Sequence, residues 1–230
     1  VIMKPAFPLS LVNGALIPAH DRVQASQRVL LTEGVLNTIT PLAKITEKRE
    51  ALLLIGGPSP HFDWDDDVVL GQVSHLIGHY PDWRWTISTS RRTPEPLQER
   101  LEEMAGLRIT VVHPGQTHED WLSHQLSASR AAWVTPDSMS MVCEAATSGV
   151  PTGLFELPAR TGSRVVEGVE RLVRDGYVAK WTDHASVMAG RADHEKTLWE
   201  ANRAAHWVLE RGLLPKSQKT NQRLPKGAQP

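Results

Sequence analysis

The chain has 230 residues, with 25 Lys or Arg against 26 Asp or Glu, a formal net charge of −1 and a pI near 6.9. No global basic field recruits nucleic acid, and the well-mixed composition does not mark disorder. A single Cys excludes an internal disulfide and any cysteine-rich zinc site.

The length suffices for one full domain, or one domain plus a fragment. No apolar run approaches the roughly 20 residues of a membrane span. No secretory signal pattern is visible. A cytoplasmic setting is therefore expected, with peripheral contact as the form any membrane association takes.

Residues 1–3, 14–18 and 29–32 are short apolar runs that predict strands with almost no helix between them. They are too few for a domain of their own. His20 and Asp21 end the second run, where α/β sheets place ligand groups. His20 is a candidate to contact phosphate or to act as acid or base, with Asp21 orienting it. An ordinary turn pair is the competing reading. Thr32 and residues 34–37 are expected along the same wall, followed by an inter-domain linker up to Pro41.

The main domain begins near residue 48. Residues 51–55 are continuously apolar, as in a central parallel strand. Gly56, Gly57, Pro58 and Ser59 follow. Small residues there let a ligand approach the backbone closely, although neither a dinucleotide nor a P-loop fingerprint is present. Asp63, Asp65, Asp66 and Asp67 precede a helix over 68–80. Acids in a first turn complement the helix dipole, which outweighs a metal site with His61. After a strand over 85–88, Arg91 and Arg92 sit among hydroxyls at a strand end and suit a diphosphate, against a solvated-loop alternative. A solvent-facing helix over 95–105 and a strand over 109–113 come next, with Gln116 in the turn beyond. Trp121, Leu122 and Leu126 make one buried helix face.

Residues 131–135 read as a buried strand, 138–148 as a helix closed by Gly149, and 150–157 as the next strand. Ser138 and Ser140 stand at the helix start, where free N–H groups and the dipole favour a phosphate. Glu144 lies on the same face one turn deeper and is placed to accept hydrogen bonds from ribose hydroxyls. The plainer reading makes Asp137 or Ser138 an N-cap. Beyond it, Arg160 or Arg164 could reach phosphate. Helices are expected over 165–175 and 197–212, then a polar, disordered tail over 214–230. Gly56–Gly57, Arg91–Arg92, Gln116 and Ser138–Glu144 all follow strands, so in a parallel sheet they share the ligand-binding edge.

The stretch VTPDSMSMVCEAATSGVP at 134–151 resembles the helix-start segment of the "elongated mitochondria" fission family and its bacterial relatives, which are assigned as glycosyltransferases. LIPAHDRV at 16–23, LLTEGVLNTITP at 30–41, LLLIGGPSPHFDWD at 52–65 and ISTSRRTP at 87–94 agree in the same order. This resemblance implies an α/β, Rossmann-like parallel sheet forming the C-terminal half of a GT-B-like fold. Residues 1–45 would be a remnant of the N-terminal domain plus linker, and 46–213 the nucleotide-sugar-binding domain. It further implies a nucleoside-diphosphate sugar as donor, an unidentified acceptor, and no required cofactor or metal.

Members of this family usually carry Asn-Pro-Tyr or similar soon after the glycine at Gly115. Here Thr117-His118-Glu119-Asp120-Trp121 stands instead, which alters the base or sugar pocket. Glycosyl transfer is the expected chemistry. A non-catalytic fission-type scaffold and a nucleotide-sugar 2-epimerase are the alternatives. The missing glycine fingerprint argues against a dehydrogenase, and the missing nucleophile elbow against a serine hydrolase.

Overall fold

A computed structural model describes residues 1–190 and 197–213. The tail expected over 214–230 lies outside them. Two short strands near the start, β1 (Ala15–Pro18) and β2 (Val29–Thr32), pair in parallel around Ala15, Ile17 and Val29. The first expected strand shrinks to a single bridge between Ile2 and Leu16.

The main sheet holds β3 (Glu50–Ile55), β4 (Arg84–Thr89), β5 (Ile109–Val112), β6 (Ala131–Val134) and β7 (Thr152–Leu154). All are parallel, in the order β5-β4-β3-β6-β7. Each strand is followed by at least one helix: α1 (Asp66–His79), α2 (Glu95–Glu103), α3 (Trp121–Ala128), α4 (Met139–Ser148) and α5 (Arg164–Arg174). Two further helices, α6 (His184–Met188) and α7 (Glu200–Glu210), complete the described chain.

The unbroken apolar run of β3 is explained by burial on both faces. Leu53 and Ile55 pack with α1 and α2, whereas Leu52 and Leu54 pack with α3 and α4. Trp85 and Trp133 fill the first of these cores, and Trp121 flanks the second, so these tryptophans serve packing. The strand expected over 150–157 is shorter than its apolar run. After Phe155 bonds to Val134, Glu156 turns away and its N–H donates to Gln72 Oε1 at 2.7 Å.

Helix α4 ends as its sequence dictates. Gly149 takes the left-handed conformation with φ of 81° at no steric cost. Helix α7 returns to the N-terminal strands: Glu200 accepts from the Glu33 N–H at 2.9 Å, and Arg203 donates to the Leu31 carbonyl at 2.5 Å. Among the described residues no helix is long and apolar enough to cross a membrane.

The strand order decides where a ligand fits. From β3 the chain winds through β4 to β5 on one side, then crosses over and winds through β6 to β7 on the other. The switch point therefore lies between β3 and β6, where α/β sheets leave a crevice beyond their strand ends. Gly56 follows β3 there, and Asp137 and Ser138 follow β6.

Candidate functional site at the sheet switch point

The β3 side of this crevice is tied together by buried hydroxyls. Thr135 Oγ1 accepts from the Gly56 N–H at 2.8 Å, and Thr93 Oγ1 donates to the Gly56 carbonyl at 2.5 Å. Asp137 lies across the turn with its side chain wholly buried. Its Oδ2 accepts from the Gly57 N–H at 3.2 Å and from Arg92 Nη2 at 2.6 Å. The second oxygen, Oδ1, is buried with no partner among the described residues. Arg92 also donates through Nη1 to the Gly57 and Pro58 carbonyls, at 3.1 and 3.2 Å.

Both glycines have an internal reason to lack a side chain. A Cβ on Gly56 would stand 2.2 Å from Asp137 Oδ2, and one on Gly57 2.0 Å from the Arg92 carbonyl oxygen. The close approach expected at this turn is made by the protein's own carboxylate and backbone. Ser59 is likewise used locally, its Oγ accepting from the His61 N–H at 3.2 Å. Arg91 is exposed and takes part in no hydrogen bond or ion pair among the described residues.

The α4 side is different. Ser138 is the N-cap residue, in extended conformation, yet its side chain makes no capping bond. The first-turn N–H groups of a helix have no intrahelical acceptor, so this end carries donors and positive dipole with no side chain spent on them. Ser140 is exposed beside it. Glu144, half-buried, makes no hydrogen bond or ion pair among the described residues, and burial pushes its carboxyl above the ordinary 4.5.

Gln116 does not join this group. It follows β5, three strand spacings or roughly 14 Å from β6. Its Oε1 caps its own turn by accepting from the His113 N–H at 2.9 Å.

His20 does reach the same edge. It packs against Gly168 of α5 beside the Met139 side chain, next to the start of α4. With Asp21, His61, Arg160, Ser163 and Arg164 it lines a cleft of about 500 Å³. Asp21 does not orient it: the Asp21 carboxylate accepts from Arg164 at 3.0 Å, and His20 Nδ1 is buried without a partner among the described residues. Burial lowers the imidazole below its ordinary 6.5; Asp21 pulls the other way, and Arg164 and Arg171 add to the lowering. The imidazole is thus neutral at pH 7 and able to accept a proton.

Arg160 is spent on Asp63 at 2.7 Å. Residues 32–37 turn toward α4: Asn37 donates to Thr147 at 3.1 Å, and a Cβ on Gly34 would meet Cys143. The acidic run before α1 is also used internally. Asp65 caps α1 through Asp67 and Val68, Asp66 accepts from Trp64, and Asp67 pairs with Arg100. Among the described residues no group of three or more His, Cys, Asp or Glu is arranged to hold a metal.

Two features escape a reading by sequence. Asp137 passes for an N-cap, and only the missing Cβ atoms at Gly56 and Gly57 hint at what fills their turn. His61 and Ser163, Nδ1 to Oγ at 2.9 Å, come from loops that only the folded sheet brings together.

The chain is 21% identical over 217 residues to the uncharacterized protein RP120 of Rickettsia prowazekii, covering 75% of this chain and 61% of that protein. Among solved structures, a Listeria monocytogenes protein assigned as a UDP-N-acetylglucosamine 2-epimerase superposes with a TM-score of 0.56 at 11% identity, over 89% of this chain and 61% of its own. A second UDP-N-acetylglucosamine 2-epimerase gives 0.52 at 14% identity, over 90% and 60%. The chain thus spans about three fifths of each of these three proteins, and the two structural likenesses establish a Rossmann-like fold of the GT-B kind. The family model described as mitochondrial fission ELM1 matches residues 1–212.

Proposed function

The chain belongs to the mitochondrial fission ELM1 family, and from that membership and the crevice we propose that it binds a nucleoside-diphosphate sugar and supports glycosyl transfer. The observation that carries this reading is the start of α4, uncapped by Ser138, beside a half-buried Glu144 that makes no hydrogen bond or ion pair among the described residues. A diphosphate fits the N–H groups and the hydroxyls of Ser138 and Ser140. One turn deeper, Glu144 accepts from a ribose diol. Arg91, exposed and unpaired among the described residues, and the outer edge of Arg92 add positive charge. The fold shared with two proteins named for UDP-N-acetylglucosamine is compatible with such a ligand.

In transfer, an acceptor oxygen bonds to the anomeric carbon as the bond from that carbon to the diphosphate oxygen breaks. The departing diphosphate carries the developing negative charge, which the start of α4 and the arginines stabilise. His20, neutral and lining the adjoining cleft, accepts the proton of the acceptor hydroxyl. A metal is not required for the charge balance. A scaffold that binds the nucleotide without turnover is the second reading, favoured by the absence, among the described residues, of any carboxylate bonded to His20.

The test is a thermal-shift screen against UDP, GDP, ADP, CMP and their sugars, because a ligand of the native state raises the melting temperature by mass action. One nucleoside diphosphate is expected to stabilise the protein, with EDTA leaving the shift intact and Arg91→Ala reducing it. No shift with any nucleotide would remove the proposal. A shift lost in EDTA would bring back a metal at residues 63–67.

A further inference from the structure

We propose that Asp137 is a positioning residue: its buried carboxylate fixes the Arg92 guanidinium with a free edge presented to the anionic part of the ligand. This inference rests on the nucleotide reading above. A guanidinium has five N–H donors. Gly57 O and Pro58 O take two from Nη1, and Asp137 takes one from Nη2. The Nε–H and one Nη2–H are left for a phosphate oxygen, on a side chain that is 43% exposed.

Asp137 could instead be an internal plug that a phosphate must displace. Its placement speaks against that. The carboxylate has a side-chain exposure of 0%, lies where a Gly56 Cβ would stand, and also holds the Gly57 N–H. An incoming anion meets Arg92 first and adds to its outer edge. Nor does stability alone account for the charge. Buried ion pairs are often no better than apolar packing, and Oδ1 has no partner among the described residues. A fixed negative charge behind a half-exposed cation has a use that apolar packing lacks. It holds the cation in one orientation, so less freedom is lost when the ligand binds.

The test uses Asp137→Asn, which keeps the shape, with two readouts. The first is the 15N spectrum of the Arg92 guanidinium without ligand. Hindered rotation, with distinct Nη signals, is expected in the wild type and fast averaging in the variant. The second is calorimetric affinity for UDP, GDP and ADP against the matching nucleosides. The variant is expected to bind the diphosphate about tenfold more weakly, the worth of one charge-assisted contact, and the nucleoside nearly unchanged. In an Arg92→Lys background, which keeps the charge but not the fork, Asp137→Asn should add less than about twofold.

Unchanged Arg92 rotation, or diphosphate affinity that is unchanged or tighter in Asp137→Asn, overturns the proposal. A wild type that binds none of the nucleotides brings down the nucleotide reading and, with it, the ligand-facing part of this one. The rotation measurement then still decides whether Asp137 fixes Arg92.

Discussion

On the β3 side of the crevice, Gly56, Gly57, Thr93, Thr135, Arg92 and Asp137 bond to one another, and the turn is closed by contacts that admit no extra methyl group. On the α4 side of the same edge, Ser138 makes no capping bond and Glu144 makes no hydrogen bond or ion pair among the described residues. The first wall is largely closed on itself, with Asp137 Oδ1 and the outer edge of Arg92 as the exceptions, and the second is open. Sharing the ligand-binding edge therefore does not make residues equivalent. The closed wall acts as a frame that offers only the outer edge of Arg92, and the open one keeps most of its hydrogen-bonding capacity for something outside the chain.

Substitutions should separate the two walls, with the largest effects on the closed side. Arg92→Ala leaves the Asp137 charge buried and unpaired. The expected loss is about 3 kcal/mol of stability in urea denaturation, at the lower end for a broken buried pair because Arg92 is itself part exposed. A loss below about 0.5 kcal/mol would mean that the turn is not held by this pair.

Gly57→Ala drives a methyl group into the Arg92 backbone. About 1–3 kcal/mol is expected from overpacking, read as a lower melting temperature. An unshifted melting curve would show that the two loops are free to part.

On the open wall the sign reverses. Because burial raises the Glu144 pKa, its ionised form is disfavoured in the folded state. That penalty is absent below the unfolded value of about 4.5, grows as pH rises through the folded value, and is complete above it. Glu144→Gln should therefore be neutral or slightly stabilising at pH 7, an advantage that vanishes near pH 4. It should also erase any preference for ribose over 2′-deoxyribose nucleotides. A clear loss of stability at pH 7 would show that Glu144 is part of the frame.

Much of the fold was legible because the signals were local. The apolar run at 51–55, the glycine at 149 and the periodic helices each mark an element without reference to the rest. Arg91, Ser138, Ser140 and Glu144 were singled out as candidates through their position after strands, which a parallel sheet converts into a shared edge. Two things were not legible. Strand order was needed to see that Gln116 stands apart, since every strand end looks alike along the chain. Partner choice was needed to see that Arg92 and the two glycines serve Asp137, and that Asp21 turns to Arg164 and away from His20. Such choices depend on side chains that are 45 to 143 residues apart in the chain.

The most direct measurement is a backbone amide NMR titration with whichever nucleoside diphosphate stabilises the protein. If the α4 start is the binding wall, the largest shifts fall on the amides of Met139, Ser140 and Met141 and extend to Glu144, while Gly56 moves little. Shifts that avoid 138–144 and gather at another surface would contradict the assignment of this helix start as the ligand site.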